Sequence, residues 1–322
     1  MPALKSPNFD ILLKIWEITM PGLPSKPPIT PLQWYGSKRR SLDVIDRWLP
    51  PHVMEYREPF VGGGASFLLA RFKYPDVPFW INDKDQRVTC FWTIVRDMPD
   101  ALEANITGLV KQARMDEAAA VSLYTEQFAA QQSDNVLEAA TAFLIINMWS
   151  FNAHMGAKDF RWDYVQKPRD YLFPRIRKAH ALLQGVTITN GDYAPLLSEP
   201  AKGRSDAGVV VFMDPPYDGT ETIYKEGAGF NFDAFYEAVL ASKHNWIITH
   251  SLRRFWPRAF KLFYFGASRT WKVDAFLDGA GSNKRDERLI ANFDPSSDLW
   301  RLYGARINSD GTIAVPHRAG GE

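Results

Sequence analysis

The sequence is poor in cysteine, histidine and net charge, and each shortage excludes a class of protein. Its 322 residues include one cysteine, Cys90, so neither an intramolecular disulfide nor a cysteine-based zinc cluster can form. Six scattered histidines show no H-E-x-x-H or other close metal-ligand spacing, so we expect no metal. The net charge of +1 is not that of a protein that coats DNA. No apolar run reaches the length of a membrane span, so we expect no membrane contact.

The order of the predicted elements favours one sheet domain that is interrupted by an insertion. Strand-like apolar runs alternate with helical patterns over residues 30–98, and strands return over residues 181–295. Between them, residues 99–180 read first as helices and then as a short basic and aromatic stretch. The sequence predicts an α/β fold with this insertion, a flexible proline-rich extension at 1–29 and a tail at 296–322 without an assigned role.

One buried strand ends in the sequence D-P-P-Y. Residues 209–213 form a continuous apolar run, which is typical of a strand inside a parallel sheet. Pro215 and Pro216 cannot continue a central strand, so Asp214 should lie at the carboxyl end of the sheet, followed by Tyr217. Ligands of open α/β sheets bind in the crevice outside those ends. A strand that simply stops at a proline turn explains the same residues without a ligand.

A glycine turn and an acid mark two further strand ends. Gly62–Gly64 lie between a predicted strand and a predicted helix, where they permit a tight turn and close approach to a ligand. Glu58 precedes the turn and could hold a cationic amine. Asp83 closes the next strand, where ribose-binding acids lie in Rossmann-like folds. The spacing matches neither a dinucleotide fingerprint nor a phosphate loop. A plain turn between strand and helix is the alternative.

Two more short segments offer groups for a nucleotide-like ligand. Trp34 supplies an apolar plate and Lys38 a cation just before the sheet begins, although Lys38 also fits the solvated start of a helix. Asp192 and Tyr193 follow another apolar strand, and an acid beside an aromatic ring suits adenine. An Asx turn explains the same two residues without a ligand.

In this order, the segments resemble the DNA adenine-N6 methyltransferases of the Dam-like type. The family joins a Trp-x-Gly-x-Lys segment, E-P-F-x-G-x-G, an N-D acid, a helical target-recognition insertion and D-P-P-Y. Over about residues 30–295, this chain has the corresponding segments Trp34–Lys38, Glu58–Gly64, Asn82–Asp83 and Asp214–Tyr217. Ser37 replaces the usual glycine, and residues 158–174 differ from the family's recognition hairpin, so no target sequence is predicted.

The resemblance implies a Rossmann-like methyltransferase sheet and S-adenosylmethionine as cofactor. Lys38 would face the methionine carboxylate. The implied catalytic residues are Asp214, Pro215, Pro216 and Tyr217. The implied cofactor residues are Trp34, Lys38, Glu58, Pro59, Phe60, Gly62, Gly64, Asp83, Asp192 and Tyr193. The implied partner is double-stranded DNA, bound by a monomer in the cytoplasm of a prokaryote or a virus-infected host; whether a restriction endonuclease accompanies it stays open.

Three basic and aromatic clusters are candidates for DNA contact. They lie in the insertion, at 253–272 and at 282–288. The insertion also contains N-M-W-S-F-N, which is similar to an aromatic N-x-x-x-x-N-G stretch of the family. The predicted DNA contacts are Asn152, Lys158, Arg161, Lys167, Arg169, Arg253, Arg254, Asn283, Lys284 and Arg285.

The chemistry of adenine N6 fits an acid at the end of this strand. The amino nitrogen is a weak nucleophile. Asp214 and a backbone carbonyl of the proline pair could accept hydrogen bonds from its two N–H groups as positive charge develops on the nitrogen. The same fold acting on cytosine N4 or on RNA is one alternative, and a catalytically silent DNA-binding relic is another. A nicotinamide-dependent oxidoreductase is disfavoured, because the glycine spacing is wrong and D-P-P-Y stays unexplained.

Overall fold

A six-stranded sheet lies at the centre of the computed structural model, which describes residues 27–201, 206–216, 230–251, 287–293, 306–307 and 313–314. The sheet strands are β1 (Glu55–Glu58), β2 (Phe79–Asp83), β3 (Thr187–Asn190), β4 (Val209–Met213), β5 (Asn245–Ser251) and β6 (Glu287–Ala291). Their order is β3-β2-β1-β4-β5-β6. Strands β1 to β5 are parallel, and β6 runs antiparallel to β5. A separate two-stranded pair joins β7 (Arg306–Ile307) and β8 (Ile313–Ala314).

Ten α-helices accompany the strands in the described part of the chain. They are α1 (Leu42–Trp48), α2 (Ala65–Lys73), α3 (Gln86–Asp97), α4 (Pro99–Ala113), α5 (Glu117–Ala130), α6 (Val136–Trp149), α7 (Trp162–Gln166), α8 (Leu172–Leu183), α9 (Ala194–Ser198) and α10 (Phe232–Ala241). Short 3₁₀ turns cover Lys38–Ser41, Phe151–Ala153 and Asp206–Gly208. Several helices begin at a side chain that accepts a backbone N–H, which is the preferred cap for a helix N-terminus: Asp85, Asp116, Asn135 and Asn231.

The alternation of side chains along β4 divides the core into two layers. Val210 and Phe212 belong to a large cluster on one side of the sheet, and Val209, Val211 and Met213 belong to a smaller one on the other. Successive strand residues point to opposite faces, so a continuous apolar run needs apolar partners on both sides. The prediction of a buried parallel strand at 209–213 is therefore confirmed.

The helical region between β2 and β3 shares its core with the sheet. Residues 139–149 of α6 are all buried, and α6 packs against α3. Helix α8 adds Leu172, Ile176 and Ala179 to the same large cluster. The helices of residues 99–180 are thus packed onto the sheet domain, and their division from it as a target-recognition insertion stays an interpretation.

The strand order reverses direction between β1 and β4. The chain builds β2 and β3 outward on one side of β1, then returns to place β4 on the other side. In open α/β sheets this reversal opens a crevice at the carboxyl ends of the two central strands, where ligands bind. The glycine turn follows β1 and Asp214 follows β4, so both flank this crevice. No helix in the described ranges combines the length and the apolarity needed to cross a membrane.

Candidate active site at the carboxyl edge of the sheet

Asp214 is held from two sides immediately after β4. Its Oδ1 accepts a hydrogen bond from the hydroxyl of Thr249, and its Oδ2 lies 2.7 Å from the Nζ of Lys38. Pro215 is buried and Pro216 is half-buried, so the chain leaves the sheet along a stiff path. With 23 % of its side chain exposed, Asp214 borders the crevice without being free in solvent.

Lys38 reaches Asp214 from the segment that precedes the sheet. Its side chain is 4 % exposed, and its Nζ also donates to the carbonyl of Gly36 at 2.9 Å. A buried ammonium needs such partners, because moving an unpaired charge out of water costs much free energy. The structure thus pairs Lys38 with the acid of D-P-P-Y, and the predicted contact with a methionine carboxylate stays a prediction.

Two tryptophans explain the small residues of the glycine turn. A Cβ atom on Gly62 would lie 2.7 Å from the Nε1 of Trp34, and one on Gly64 would overlap the ring of Trp92. Both glycines also have positive φ, +42° and +69°, which other residues adopt rarely. Trp92 fixes the turn further by donating from Nε1 to the carbonyl of Gly62 at 3.0 Å. The turn is therefore shaped by the protein's own rings, in addition to any ligand.

Asp83 connects the end of β2 to that turn. Its Oδ2 accepts from the N–H of Gly62 at 2.8 Å, and its Oδ1 accepts from the N–H of Asp85 at 3.0 Å. The side chain is half-buried at the strand end, where the sequence predicted a ribose-binding acid. The hydrogen bond between Gly62 and Asp83 connects the carboxyl end of β2 to the turn that follows β1.

Glu58 lies beneath the same edge and is completely buried. Its Oε1 accepts from the hydroxyl of Ser66 at 2.6 Å, and its Oε2 accepts from the hydroxyl of Tyr56 at 2.8 Å. Burial raises the pKa of Glu58 to about 8; the two hydrogen bonds oppose this rise, and the charges of Asp214 and Asp83 add to it. This pKa favours the protonated form of Glu58 at neutral pH, and a direct contact with a cationic amine stays a prediction.

Aromatic side chains line the neighbouring part of the crevice. Phe60 lies 5.7 Å from Tyr193 and 6.0 Å from Phe230, measured between ring centroids. Phe235 closes the group, with its ring 5.1 Å from that of Tyr193. Burial raises the pKa of the Tyr193 phenol. Phe60 and Tyr193 are half-buried and Phe235 is fully buried, so the first two rings are the ones that could contact an apolar ligand.

Asp192 and Pro59 have local structural roles. Asp192 is exposed, and its Oδ1 accepts from the N–H of Ala194 at 2.8 Å. This is the Asx turn that the sequence left open as an alternative, so an adenine contact by Asp192 stays a prediction. Pro59 is buried, and its carbonyl accepts from the side-chain amide of Asn82 at 3.1 Å.

The predicted DNA contacts of the insertion fall into two groups. Asn152, Lys158, Arg161 and Lys167 are exposed. The guanidinium of Arg161 lies 5.3 Å from the ring centroid of Phe151, and Arg161 Nε lies 3.4 Å from Asp163. By contrast, Arg169 is half-buried and donates to the backbone carbonyl of Met148 at 2.5 Å. Tyr217, Arg253, Arg254, Asn283, Lys284 and Arg285 lie outside the described residues.

Sequence reasoning missed two polar side chains that hold this region together. Asn147 is buried in α6, accepts from the N–H of Gln33 at 3.1 Å and donates to its carbonyl at 2.6 Å. This pair of bonds fixes the chain next to Trp34. Thr249, the partner of Asp214, is the second. In both cases the available signal was a single polar residue inside an apolar run, in "FLIINMW" and "WIITH".

Comparison with known proteins decides the family of this chain. Residues 34–251, more than half of the sequence, match the model of the D12 class N6 adenine-specific DNA methyltransferases. The chain belongs to this family. It is 28 % identical over 291 residues to the DNA adenine methylase of Vibrio cholerae, covering 82 % of this chain and 95 % of the relative. It is 25 % identical over 201 residues to the type II methyltransferase M.MjaIII of Methanocaldococcus jannaschii, covering 58 % and 68 %.

Membership of the family confirms three predictions made from the sequence. The fold is a Rossmann-like methyltransferase sheet flanked by helices. The activity is methylation of adenine N6 in DNA, and DNA is the substrate. Adenine methyltransferases in general use S-adenosylmethionine, which agrees with the predicted cofactor. Across the described ranges, no three His, Cys, Asp or Glu side chains are grouped so that they could hold a metal ion.

Proposed function

We propose that this enzyme binds an adenine flipped out of duplex DNA against Asp214 and transfers a methyl group to its N6 from S-adenosylmethionine. One observation carries the proposal: Asp214 lies directly after β4, at the switch point of the sheet where the glycine turn follows β1. This arrangement supports two neighbouring pockets at one sheet edge, one for the cofactor and one for the base. A cytoplasmic monomer that acts on double-stranded DNA fits this substrate.

The chemistry of the side chains fits the proposed cofactor. Half-buried Asp83 offers carboxylate oxygens for ribose hydroxyls, and the rings of Phe60 and Tyr193 offer aromatic surface on which adenine could stack. When bound, S-adenosylmethionine supplies a methyl group on a sulfonium sulfur that leaves as a neutral thioether. Trp34 covers the glycine turn and would border the methionine end. These residues bind and orient; none of them needs to donate or remove a proton.

Asp214 would act on the base. Its carboxylate can accept a hydrogen bond from the N6 amino group, and a carbonyl of the Pro215–Pro216 segment can accept the second. Two preorganised acceptors stabilise the positive charge that appears on N6 as the new N–C bond forms and the C–S bond breaks; N6 then loses one of its two protons to solvent, which gives neutral N6-methyladenine. The stiff proline pair limits movement of these acceptors, which favours alignment of the reacting atoms. Tyr217 would stack on the base from the same segment.

The base must leave the duplex to reach this crevice. Exposed cations of the insertion, Lys158, Arg161 and Lys167, are suited to phosphate contact. Phe151, which is 40 % exposed beside Arg161, adds an aromatic surface on the same side. Because these groups are charged or aromatic and face solvent, we propose that residues 151–167 form part of the DNA-binding surface.

The reaction can be tested with purified enzyme, tritiated S-adenosylmethionine and unmethylated duplex DNA. Separation of the product nucleosides should show label in N6-methyladenine, and single-molecule sequencing should place it in one short motif. Asp214→Ala should slow transfer at least about tenfold to a hundredfold, as expected for loss of a charged hydrogen bond, while cofactor binding persists. Asp97→Ala, which removes a surface carboxylate paired with Arg96, is the control. Label in cytosine, or full activity of Asp214→Ala, would refute the proposal.

A further inference from the structure

Thr249 is a buried hydroxyl whose position is fixed by the sheet. It lies near the end of β5, is completely buried, and pairs with Leu289 of β6. On its other side β5 pairs with β4, in a register that sets Ile248 beside Met213. Asp214 follows Met213 by one residue, so it comes to lie next to Thr249.

The side-chain geometry of threonine makes this contact stiff. A β-branched side chain has few allowed χ1 rotamers, and strands on both sides of β5 prevent backbone adjustment. The hydroxyl donates to Oδ1 of Asp214, while the ammonium of Lys38 contacts Oδ2. A carboxylate held at one oxygen can still rotate about its χ2 angle, whereas contacts at both oxygens fix its plane.

We propose that Thr249 is a positioning residue for methyl transfer: its hydroxyl orients Asp214 so that the carboxylate accepts a hydrogen bond from the N6 amino group and turns the nitrogen lone pair toward the incoming methyl group. This inference rests on the proposed function of Asp214. Thr249 itself is neutral and has no proton to exchange in the reaction. Its effect should therefore fall on the rate of transfer, and not on the binding of DNA or cofactor, because alignment matters most in the transition state.

Thr249→Val removes the hydroxyl and keeps the β-branched shape. We expect the rate constant of methyl transfer, measured in single-turnover assays, to fall about tenfold to a hundredfold, the range for a hydrogen bond to a charged group. The KM values for DNA and S-adenosylmethionine should change by less than about twofold, since uniform binding is untouched. Thr249→Ser restores the hydroxyl and should recover most of the lost rate.

Thr89→Val provides a matched control. Thr89 is also a buried threonine, and its hydroxyl donates to the carbonyl of Gln86 at 3.0 Å in the first turn of α3. Thr89→Val also replaces a buried hydroxyl by a methyl group, but this hydroxyl does not contact Asp214. The variant should therefore methylate DNA at the wild-type rate. Thermal unfolding of all three variants shows whether the fold is retained.

The possible results separate the two proposals. A wild-type rate constant of methyl transfer in Thr249→Val would overturn the role of Thr249 alone. An equally slow Thr249→Ser, with both variants unfolding at lower temperature, would show that Thr249 only supports the fold and would likewise overturn it. Absence of N6-methyladenine with the wild-type enzyme would instead refute the proposed function, and this inference with it.

Discussion

Replacing Glu58 by glutamine removes a titrating group from beneath the site while keeping the size of the side chain. Glu58 is fully buried between the hydroxyls of Tyr56 and Ser66. Burial raises its pKa from the ordinary 4.5 to about 8. An acid with a higher pKa in the folded chain binds more protons when folded than when unfolded. The free energy of unfolding should therefore fall as the pH rises from 4.5 to about 8.

The size of the effect follows from this difference in pKa. Each pH unit inside the window lowers the free energy of unfolding by up to about 1.4 kcal/mol. Glu58→Gln cannot ionise, so its stability should lack this dependence. Between pH 6.0 and 7.5 the stability of the variant relative to wild type should rise by about 2 kcal/mol.

Urea denaturation at the two pH values, followed by tryptophan fluorescence, measures this difference directly. Glu126→Gln controls for loss of one negative charge, because Glu126 is exposed on α5. A difference between wild type and Glu58→Gln that is the same at both pH values would refute the reasoning. It would mean that Glu58 is ionised in the folded chain despite its burial.

Three further substitutions test the packing and the DNA-binding surface. Gly64→Ala should lower the free energy of unfolding by about 1–3 kcal/mol in urea denaturation, because φ is +69° and the new Cβ overlaps Trp92. The control Gly108→Ala should cause no such loss, because a Cβ atom at this position on α4 meets open space. Equal stability of the two variants would contradict the prediction. Arg161→Ala should weaken DNA binding and reduce the salt slope by about one in fluorescence anisotropy, and an unchanged slope would remove Arg161 from the interface. Arg169→Ala should lower the thermal unfolding temperature, because its guanidinium holds backbone carbonyls; a loss of DNA affinity at unchanged stability would reverse this assignment.

The strand ends were predictable from the sequence because the signals are local. A continuous apolar run needs two covered faces, and a proline pair must end it, so residues 209–213 and Asp214 could be placed correctly. The same reasoning located Asp83 and the glycine turn. Because parallel strands end at one edge, these separate residues were expected to meet there.

The pairings across the edge were not predictable, because they depend on packing between distant segments. The contact of the Lys38 ammonium with Asp214 was not predicted, and the predicted contact of Lys38 with the cofactor stays a prediction. The glycines of the turn were explained by a ligand, whereas Trp34 and Trp92 occupy the space beside them. Neither the strand order nor the tilt of a segment before the sheet can be read from residue types alone.

The charges at this edge bear on the proposal that one crevice binds a cationic cofactor and a neutral base. Burial favours the neutral form of Glu58 by raising its pKa to about 8, and the ammonium of Lys38 pairs with the carboxylate of Asp214. A carboxylate bound to an ammonium is a weaker acceptor than a free one, so the orientation of its remaining lone pairs becomes decisive for contact with N6. This gives the hydroxyl of Thr249 its importance: the ammonium of Lys38 occupies one oxygen of Asp214, and the hydroxyl holds the other, so that together they fix the direction of the carboxylate.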